Sequence, residues 1–477
     1  MRFGRLVQTN FLYLKKKLSD ISKIIESQNA FFRTQKTKDV NFRLQLLKSL
    51  KAEIIANEEA IYTALHKDFK KSEFESFISE FGLVISELNL AINNLRKWAK
   101  PKRVKASILT FPSSDYIYKE PYGTVLVIGP WNYPFLLTME PLIMAIAAGN
   151  TVVLKPSELT EHTSLLVSKI IDKVFSSEIA TTVLGGIDVA TELLAQRWDY
   201  IFFTGSVPVG KIVAKAAAKH LTPVTLELGG KSPCIIDDTA NLKLAATRIV
   251  WGKFLNGGQT CIAADYLLVH KSIKADFIEI LKTEITRFYG NNPKASRDFP
   301  RIINKRNTER LAKILKDTNV VFGGEIDIND SYISPTIVDS PRLDSPIMSD
   351  EIFGPILPIL SYETDKDLEE IIWNFEKPLA FYIFSKNKRF VENTINKFEF
   401  GGGVINDLLI HFGNHRLPFG GVGHSGMGAY HGKLGFDTFS HEKAIIKRGN
   451  WIDPPIRYAP YSNKKFTILK KMFKWFG

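Results

Sequence analysis

A cysteine follows a Gly-Gly turn in the stretch Phe254-Leu-Asn-Gly-Gly-Gln-Thr-Cys261. A nucleophilic thiolate needs partial exposure, nearby backbone N–H groups, and a helix N-terminus or a cation that lowers its pKa. Glycines leave backbone N–H groups uncovered, so Cys261 is a candidate nucleophile. The alternative is a small buried apolar residue, which is the usual fate of a free cysteine. The second cysteine, Cys234, begins an apolar run and is interpreted as buried.

A carboxylate ends an apolar run in the stretch Leu226-Glu227-Leu-Gly-Gly-Lys231. Partial desolvation at the end of a strand raises the pKa of a carboxyl group toward values that suit a general base. The alternative for Glu227 is a strand-end ion pair with Lys231.

Two further turns follow apolar runs, Gly129-Pro-Trp-Asn132-Tyr-Pro134 and Phe203-Thr-Gly205-Ser206-Val-Pro-Val-Gly210. The amide of Asn132 is a neutral donor that could stabilise an oxyanion, although asparagine in a turn commonly bonds its own backbone. The Gly205-Ser206 turn precedes a helix start, where free N–H groups suit a phosphate.

The elements that must position these residues alternate between strand and helix. Apolar runs predict strands at 123–129, 151–155, 181–184, 200–203 and 224–227, with helices at 134–149, 163–174, 189–196 and 210–220 between them. Such alternation is typical of a doubly wound α/β layer with right-handed crossovers. Helical periodicity covers about 15–100, and a second alternating region covers about 232–405.

Composition excludes several classes of protein. The chain has 477 residues, a net charge of +13 and two cysteines, which rules out a disulfide scaffold. No Cys/His clustering indicates a metal site, and no motif indicates nucleic-acid binding. No apolar run reaches the ~20 residues that cross a bilayer, and no secretory signal is visible, so we expect a cytoplasmic protein. Positive charge concentrates at Arg2, Arg5, the lysine run 15–17 and the C-terminal end.

The motifs in their order resemble the aldehyde dehydrogenase superfamily over about residues 15–460. They are Pro-Trp-Asn132, Leu-Lys155-Pro-Ser-Glu158, Phe-Thr-Gly205-Ser206, Leu-Glu227-Leu-Gly-Gly-Lys, Gly-Gln-Thr-Cys261, Glu351-Ile-Phe353-Gly-Pro and Pro-Phe419-Gly-Gly-Val-Gly-His-Ser-Gly. The short N-terminal segment and the ending Ser-Gly-Met-Gly-Ala-Tyr-His-Gly-Lys433 resemble the class 3 branch, which includes fatty aldehyde dehydrogenases.

The resemblance implies NAD(P)-dependent oxidation of an aldehyde to its carboxylic acid, with a medium- or long-chain aliphatic or an aromatic substrate. Cys261 would form a thiohemiacetal and then a thioester. Asn132 and the backbone N–H of Cys261 would hold the oxyanion, and Glu227 would activate the hydrolytic water.

The resemblance also implies the cofactor residues. Lys155 and Glu351 would bind the two riboses, Gly205 and Ser206 the pyrophosphate, and Phe353 would pack near the nicotinamide. Glu158 would repel a 2′-phosphate, which favours NAD, with NADP also possible. The remaining assignments are Gly210 and Leu228 for the cofactor, and Tyr133, Thr260, His411 and Phe419 for the substrate pocket, with His411 structural or pocket-lining rather than catalytic.

The implied architecture is an aldehyde dehydrogenase-like α/β fold. We expect a dinucleotide-binding domain with N-terminal helices (1–115 and 122–226), a catalytic domain (227–414) and a glycine-rich return segment (415–434). A small strand-rich bridging element (116–121 and 435–447) would support a homodimer.

The C-terminal tail, 462–477, is basic and amphipathic. Phe466, Leu469, Met472 and Phe473 recur at helical spacing opposite lysines, which suits peripheral contact with a membrane. The alternative is that this apolar stripe docks on the protein or on a dimer partner.

Two other functions compete with aldehyde oxidation. An acylating enzyme would pass the thioester to coenzyme A, but Glu227 argues against it because such relatives commonly lack the hydrolytic base. A catalytically decayed lipid-binding homologue is opposed by the presence of Cys261, Glu227 and Asn132 together.

Overall fold

The computed structural model describes residues 20–476. The basic residues predicted near the start of the chain, Arg2, Arg5 and the lysine run 15–17, lie outside the described residues. Within the described part, no helix combines the length and the apolar character needed to cross a bilayer.

The helices and strands follow one another along the whole described chain. The helices are α1 (20–33), α2 (Val40–Ala56), α3 (Glu58–Phe69), α4 (Glu73–Ser76), α5 (Gly82–Trp98), α6 (Leu136–Ala148), α7 (Glu161–Val174), α8 (Ile187–Leu194), α9 (Val207–Ala218), α10 (Leu242–Phe254), α11 (Lys274–Tyr289), α12 (Lys305–Leu315), α13 (Pro346–Ser349), α14 (Asp365–Ile372), α15 (Lys388–Lys397), α16 (Gly432–Thr438) and α17 (Asn463–Phe476). The strands are β1 (Lys102–Val104), β2 (Ser113–Pro121), β3 (Thr124–Ile128), β4 (Thr151–Lys155), β5 (Ala180–Thr182), β6 (Tyr200–Thr204), β7 (Val224–Glu227), β8 (Pro233–Ile236), β9 (Tyr266–His270), β10 (Val320–Phe322), β11 (Ile326–Asp327), β12 (Tyr332–Ile333), β13 (Thr336–Asp339), β14 (Ile356–Tyr362), β15 (Ala380–Phe384), β16 (Gly402–Ile405), β17 (Gly426–Met427) and β18 (Ser440–Arg448).

The N-terminal helices cover the first sheet, as the periodicity predicts. In α2, Leu47, Leu50 and Ile54 are fully buried at helical spacing, and the side chain of Asp39 caps the first turn by accepting from the N–H of Asn41. A π-helical turn, Phe77–Phe81, separates α4 from α5. This turn faces the functional loops described below.

The first sheet is six-stranded in the order β17-β7-β6-β3-β4-β5. All pairs are parallel except β17, which runs antiparallel to β7. Strands β3, β4 and β6 are buried along their whole length, as expected for strands covered by helices on both faces. The predicted doubly wound α/β layer is therefore confirmed, and the glycine-rich return segment supplies its β17 edge.

The second sheet is seven-stranded in the order β10-β13-β14-β9-β8-β15-β16, and only β10 is antiparallel to its neighbour within the described part of the chain. It contains the second alternating region of the sequence. Its first strand, β8, follows Glu227 within a few residues, and the strand next to it, β9, follows Cys261. The two sheets thus meet where the candidate residues lie.

A third, antiparallel sheet has the order β1-β2-β18, and β2 pairs with β18 from Ser113↔Arg448 to Pro121↔Ser440. Within the segment 435–447, which is predicted to be strand-rich, residues 440–447 lie in β18 and residues 435–438 belong to α16. A Cβ at Gly435 would lie 2.9 Å from Met144 Cγ, so the missing side chain lets α16 lie directly on α6. Phe436 is 1% exposed and packs against Trp98 of α5, with ring centroids 5.6 Å apart.

Candidate active site

The loop after α10 brings Cys261 to an accessible position. Asn256, Gly257 and Gly258 have φ values of 55°, 62° and 73°, a left-handed run that reverses the chain after α10. A Cβ at Gly258 would lie 2.3 Å from the carbonyl oxygen of Gly354, so only glycine fits there. Between residues 256 and 269, Cys261 alone is not fully buried. Cys261 is therefore partly exposed to solvent after the Gly-Gly turn, while the residues beside it are buried.

Asn132 is tied to the same loop by hydrogen bonds. Its Nδ2 donates to the carbonyl oxygen of Gln259 at 3.1 Å. The Nδ2 of Asn256 donates to the carbonyl oxygens of both Asn132, at 2.8 Å, and Gln259, at 3.1 Å. Asn132 does not bond its own backbone as turn asparagines commonly do. The loop after β3 and the loop before Cys261 are thus joined into one unit.

Gln259 fixes the other side of the cysteine loop. Its Nε2 donates to the carbonyl oxygens of Asn256 and Arg301 at 2.9 and 3.1 Å, and its Oε1 accepts from the N–H of Ile303 at 2.9 Å. The side chain is fully buried. Every polar atom of this amide side chain therefore has a partner in the surrounding backbone, which makes the loop rigid.

Glu227 ends β7 with a carboxylate that has no hydrogen-bond partner on either oxygen. The residue is 3% exposed, and burial raises its pKa well above the usual range. The alternative ion pair with Lys231 is wrong, because the ammonium of Lys231 bonds Asp265 instead. A buried, unpaired carboxyl group with a raised pKa binds a proton more tightly than an exposed one and is a candidate base.

The environment of the Cys261 thiol disfavours a free thiolate. Burial raises the pKa of Cys261 well above its usual range, and the nearby carboxylates of Glu351 and Glu227 raise it further. The backbone N–H groups of Cys261 and Ile262 act in the opposite direction by bonding the thiolate. Those N–H groups are the uncovered backbone donors that the glycines before Cys261 predict.

Glu351 lies against the Gly229-Gly230 turn that follows Glu227. A Cβ at Gly229 would meet Oε2 of Glu351 at 2.0 Å, so the glycine makes room for the carboxylate. Burial, followed by the negative charge of Asp265, raises the pKa of Glu351 to about 8, while the N–H of Gly230 opposes that shift. Two buried carboxyl groups with raised pKa values therefore flank the thiol.

Phe353, two residues further on, packs edge-on against Trp131 with ring centroids 5.1 Å apart. Its φ of 51° is in the left-handed region, which is uncommon for an aromatic residue. Trp131 precedes Asn132, so this contact links the Glu351 segment to the loop of the candidate oxyanion donor.

Lys155 and Glu158 lie at the carboxyl end of β4, where ligands bind in doubly wound sheets. The ammonium of Lys155 donates to Oε2 of Glu158 at 2.8 Å and to the carbonyl oxygen of Pro156 at 3.1 Å. Lys155 is 4% exposed, whereas the Glu158 side chain is 40% exposed. An ammonium and a carboxylate that reach a sheet edge suit the hydroxyl groups of a ribose.

Ser206 is the N-cap residue of α9, and its side chain makes no capping hydrogen bond. Gly205 precedes it and donates its N–H to the carbonyl oxygen of Glu227 at 2.9 Å. This 12-residue helix follows β6, which is parallel to β3 and β4, so its first N–H groups lie at the same carboxyl end of the sheet as Lys155. A helix N-terminus at the end of the sheet where Lys155 lies is an arrangement that suits a dinucleotide, so these residues fit that group.

Gly210 and Leu228 occupy a different environment. A Cβ at Gly210 would meet the Cδ2 atom of Leu228 at 2.7 Å, and both residues are buried. Their mutual contact sets the close approach of α9 to the chain after β7. Binding of the cofactor by these two residues stays a prediction.

The four candidate pocket residues fall into two pairs. Tyr133 and Thr260 are buried and joined by a hydrogen bond of 2.6 Å between the phenolic oxygen and Oγ1. His411 stacks on Phe419 with centroids 6.0 Å apart, and neither ring nitrogen has a hydrogen-bond partner. Burial lowers the pKa of His411 to about 4, so the imidazole is neutral at physiological pH.

Sequence reasoning missed a second group of residues behind these loops. Glu75 accepts from the N–H of Asn256 at 2.7 Å, and Glu80 accepts from the N–H groups of Phe135 and Leu136. The residues come from the N-terminal helices, 181 positions from Asn256 in the case of Glu75. The sequence gives no clear local signal, because this segment buries Glu75 and Glu80 while Phe74 and Phe77 are exposed. In the described part of the chain, no His, Cys, Asp and Glu side chains form a metal-binding group.

Comparison with known proteins agrees with this geometry. The family model described as "Aldehyde dehydrogenase family" matches residues 13–445. The chain is 47% identical over 447 residues to 4,4'-diaponeurosporen-aldehyde dehydrogenase of Staphylococcus aureus, covering 93% of this chain and 97% of the relative. It is 44% identical over 450 residues to aldehyde dehydrogenase family 3 member A2 of Mus musculus, covering 93% of each.

A solved structure described as the substrate-bound state of Staphylococcus aureus AldH superposes with a TM-score of 0.93 at 46% identity. The match covers 95% of this chain and 99% of that one. The family model and the relatives cover nearly the same residues as the two sheets and the loops between them. The chain belongs to the aldehyde dehydrogenase family.

Proposed function

We propose that this enzyme oxidises aldehydes by covalent catalysis at Cys261, with Asn132 as oxyanion donor and Glu227 as hydrolytic base. The observation that supports the proposal most directly is the union of three groups in one place. The only partly exposed residue of its loop is a thiol, an amide donor is bonded to that loop, and an unpaired carboxyl group acts electrostatically on the thiol.

In the first step the Cys261 thiol gives its proton to solvent, and its sulfur attacks the aldehyde carbon, which forms an S–C bond and places negative charge on the carbonyl oxygen. One N–H of the Asn132 amide donates to the carbonyl oxygen of Gln259. The second N–H of the same amide is the donor for the oxyanion. A dinucleotide held by Lys155, Gly205 and Ser206 would supply the acceptor for the hydride that leaves the thiohemiacetal carbon as the thioester forms.

The second step is hydrolysis of the thioester. Glu227 accepts a proton from water, the water oxygen bonds the acyl carbon, and the C–S bond breaks to release the carboxylic acid and the thiol. A carboxylate that has no hydrogen bond and a raised pKa is strongly basic once ionised. Transfer of the acyl group to coenzyme A would not need this base.

The test is NAD(P)H production across an aldehyde series from acetaldehyde to hexadecanal, with both dinucleotides and with Cys261→Ser as control. Serine keeps the shape of the side chain and removes the soft nucleophile. We expect activity of the unaltered enzyme and none above background for the variant. Full turnover by Cys261→Ser would overturn the mechanism.

The dinucleotide is NAD or NADP, and we propose that NAD is preferred. The exposed carboxylate of Glu158 lies 2.8 Å from the ammonium of Lys155 and would repel a 2′-phosphate beside it. Glu158→Gln should lower the KM for NADP and leave the KM for NAD less affected. Equal effects on both would remove Glu158 as the discriminating residue.

We propose a medium- or long-chain aliphatic or an aromatic substrate. The Staphylococcus aureus relative is named for 4,4'-diaponeurosporen-aldehyde, an apolar aldehyde. Phe412 and Phe419 meet edge to face with ring centroids 4.9 Å apart, and the neutral His411 stacks on Phe419. Together these three rings form an apolar wall for the alkyl chain of the substrate. A kcat/KM that rises with chain length in the aldehyde series supports this class, and a maximum at acetaldehyde contradicts it.

We propose that the C-terminal helix α17 contacts an anionic membrane surface. Phe466, Ile468 and Phe473 are 57%, 42% and 58% exposed on this helix, and lysines flank them. The full chain should float with vesicles that contain phosphatidylserine, and a chain that ends at Tyr461 should not. Equal flotation of both forms would end the proposal.

We also propose a homodimer that uses the third sheet. Strand β18 is an edge strand of nine residues, and Ile446 on it is 54% exposed. Long edge strands with apolar side chains commonly pair with another chain. Light scattering should give twice the mass of the chain, and Ile446→Lys should shift that mass toward the monomer. A monomeric unaltered protein would contradict the proposal.

A further inference from the structure

Two carboxylates of the N-terminal helical layer bond the backbone of the two catalytic loops. Glu75, on α4, accepts from the N–H of Asn256 at 2.7 Å and is 6% exposed. Glu80, on the π-helical turn, is fully buried and accepts from the N–H of Phe135 at 2.9 Å and of Leu136 at 3.2 Å. One segment of six residues, 75–80, thus reaches both the cysteine loop and the start of α6.

The contact of Glu75 is made at the most constrained residue of the cysteine loop. Asn256 has a φ of 55°, and its side chain bonds the carbonyl oxygens of Asn132 and Gln259. A non-glycine residue in the left-handed region persists only where its surroundings hold it there. The Glu75 carboxylate supplies that restraint from the backbone side, so the position of Asn256 depends on a residue of another layer.

The Glu80 contact acts on the other loop. Glu80 pairs with the ammonium of Lys71 at 2.6 Å, and both side chains have no solvent exposure. The same ammonium lies 4.7 Å from the ring centroid of Tyr133, whose hydroxyl group bonds Thr260. Glu80 lies on the π-helical turn Phe77–Phe81, and such turns are frequent at functional sites.

We propose that Glu75 is a positioning residue, which acts through Asn256 to set the distance between the Asn132 amide and the Cys261 thiol. The Lys71–Glu80 pair supports the same geometry from the side of the Asn132 loop. This inference rests on the proposed roles of Cys261 and Asn132. It assigns to the N-terminal helices a function in catalysis beyond covering the sheet.

The hydrogen bond and the charge of Glu75 can be separated by two substitutions. Glu75→Gln keeps the length of the side chain and an acceptor oxygen for the N–H of Asn256, but removes the charge. Glu75→Asp keeps the charge and withdraws the oxygens by about 1.5 Å, one C–C bond. Burial raises the pKa of Glu75 to about 7, so a neutral acceptor at this site is tolerated by the fold.

We expect Glu75→Gln to retain a kcat close to that of the unaltered enzyme. Glu75→Asp should lower kcat between about tenfold and about a hundredfold, because small displacements of catalytic groups have effects of this size. The KM for the aldehyde should change little, because neither Glu75 nor Asn256 lines the acyl-chain wall. An equal or greater loss in Glu75→Gln than in Glu75→Asp would overturn the proposal.

A double-variant measurement separates positioning from a general loss of structure. Glu75→Asp in an Asn132→Ala background should cost much less in kcat than in the unaltered enzyme, because the amide that it positions is gone. Fully additive losses would overturn the proposal. Glu192, a buried carboxylate on α8 that is 7% exposed, provides the matched control, and Glu192→Asp should leave kcat unchanged. An active Cys261→Ser enzyme would instead refute the proposed function itself.

Discussion

Replacing Glu227 by glutamine should stabilise the fold and impair the release of acid at the same time. The carboxyl group is 3% exposed, has no hydrogen-bond partner and has a pKa raised by burial. The folded state therefore keeps a proton that the unfolded chain releases above a pKa of about 4.3. Because the folded state binds more protons, stability falls as the pH rises from the unfolded pKa to the folded pKa.

The size of this loss follows from proton linkage. One proton of difference corresponds to about 1.4 kcal/mol of unfolding free energy per pH unit between the two pKa values. Glutamine has no carboxyl proton to lose, so the Glu227→Gln variant does not show this decrease in unfolding free energy with pH. The advantage of the variant should therefore grow steadily between about pH 5.5 and the folded pKa of Glu227, and remain constant above it.

Urea unfolding followed by circular dichroism at several pH values measures this advantage. Glu363→Gln is the control, because it removes one carboxylate from a surface ion pair with Lys271. A difference between Glu227→Gln and the unaltered enzyme that stays constant or shrinks with increasing pH would refute the reasoning. It would mean that the carboxylate is ionised and compensated in the folded protein.

The same variant tests the hydrolytic role of Glu227. Attack by Cys261 and loss of the hydride precede hydrolysis, so the variant should release a burst of one NAD(P)H per active site and then turn over slowly. Mass spectrometry should find the acyl group on the enzyme during the slow phase. Unchanged steady-state turnover would remove Glu227 as the essential base.

Three further substitutions give separate expectations. Asn132→Ala should lower kcat by about 10² to 10³, the usual effect of removing one oxyanion donor, in a steady-state assay. Gly258→Ala should abolish activity and lower the melting temperature, because its Cβ would lie 2.3 Å from the carbonyl oxygen of Gly354. Lys231→Met should cost about 3–5 kcal/mol in urea unfolding, because it leaves the buried carboxylate of Asp265 unpaired. Wild-type values in these assays would contradict the respective contacts.

The regular elements could be predicted from the sequence because local patterns determine them. The runs at 123–129 and 200–203 are continuous and apolar, and they form the buried strands β3 and β6. Residues 435–438, at the start of the segment predicted to be strand-rich, form the helix α16. Its glycine and aromatic residues are compatible with either structure, and contact with α6 decides between them.

The site could be predicted as a set of residues but not as a geometry. The motifs that contain Asn132, Glu227 and Cys261 are local, and the structure brings these residues together. The left-handed Asn256 and its bond to Glu75 depend on chain segments 181 residues apart, so no local pattern indicates them. The rejected pair between Glu227 and Lys231 shows the same limit, because proximity in sequence does not decide which carboxylate the lysine bonds.

Buried ion pairs hold the irregular parts of this site in place. Lys231 pairs with Asp265, and its ammonium also bonds the carbonyl oxygen of Asp350 at 3.0 Å, next to Glu351. Asp265 accepts from the N–H of Ile352 at 2.8 Å. Such pairs add little net stability, because desolvation offsets most of their attraction. Their value here is orientation, since the segment around Glu351 has no regular hydrogen-bonding pattern of its own. The Lys71–Glu80 pair does the same for the Asn132 loop, so the Glu351 segment and the Asn132 loop each have a buried pair.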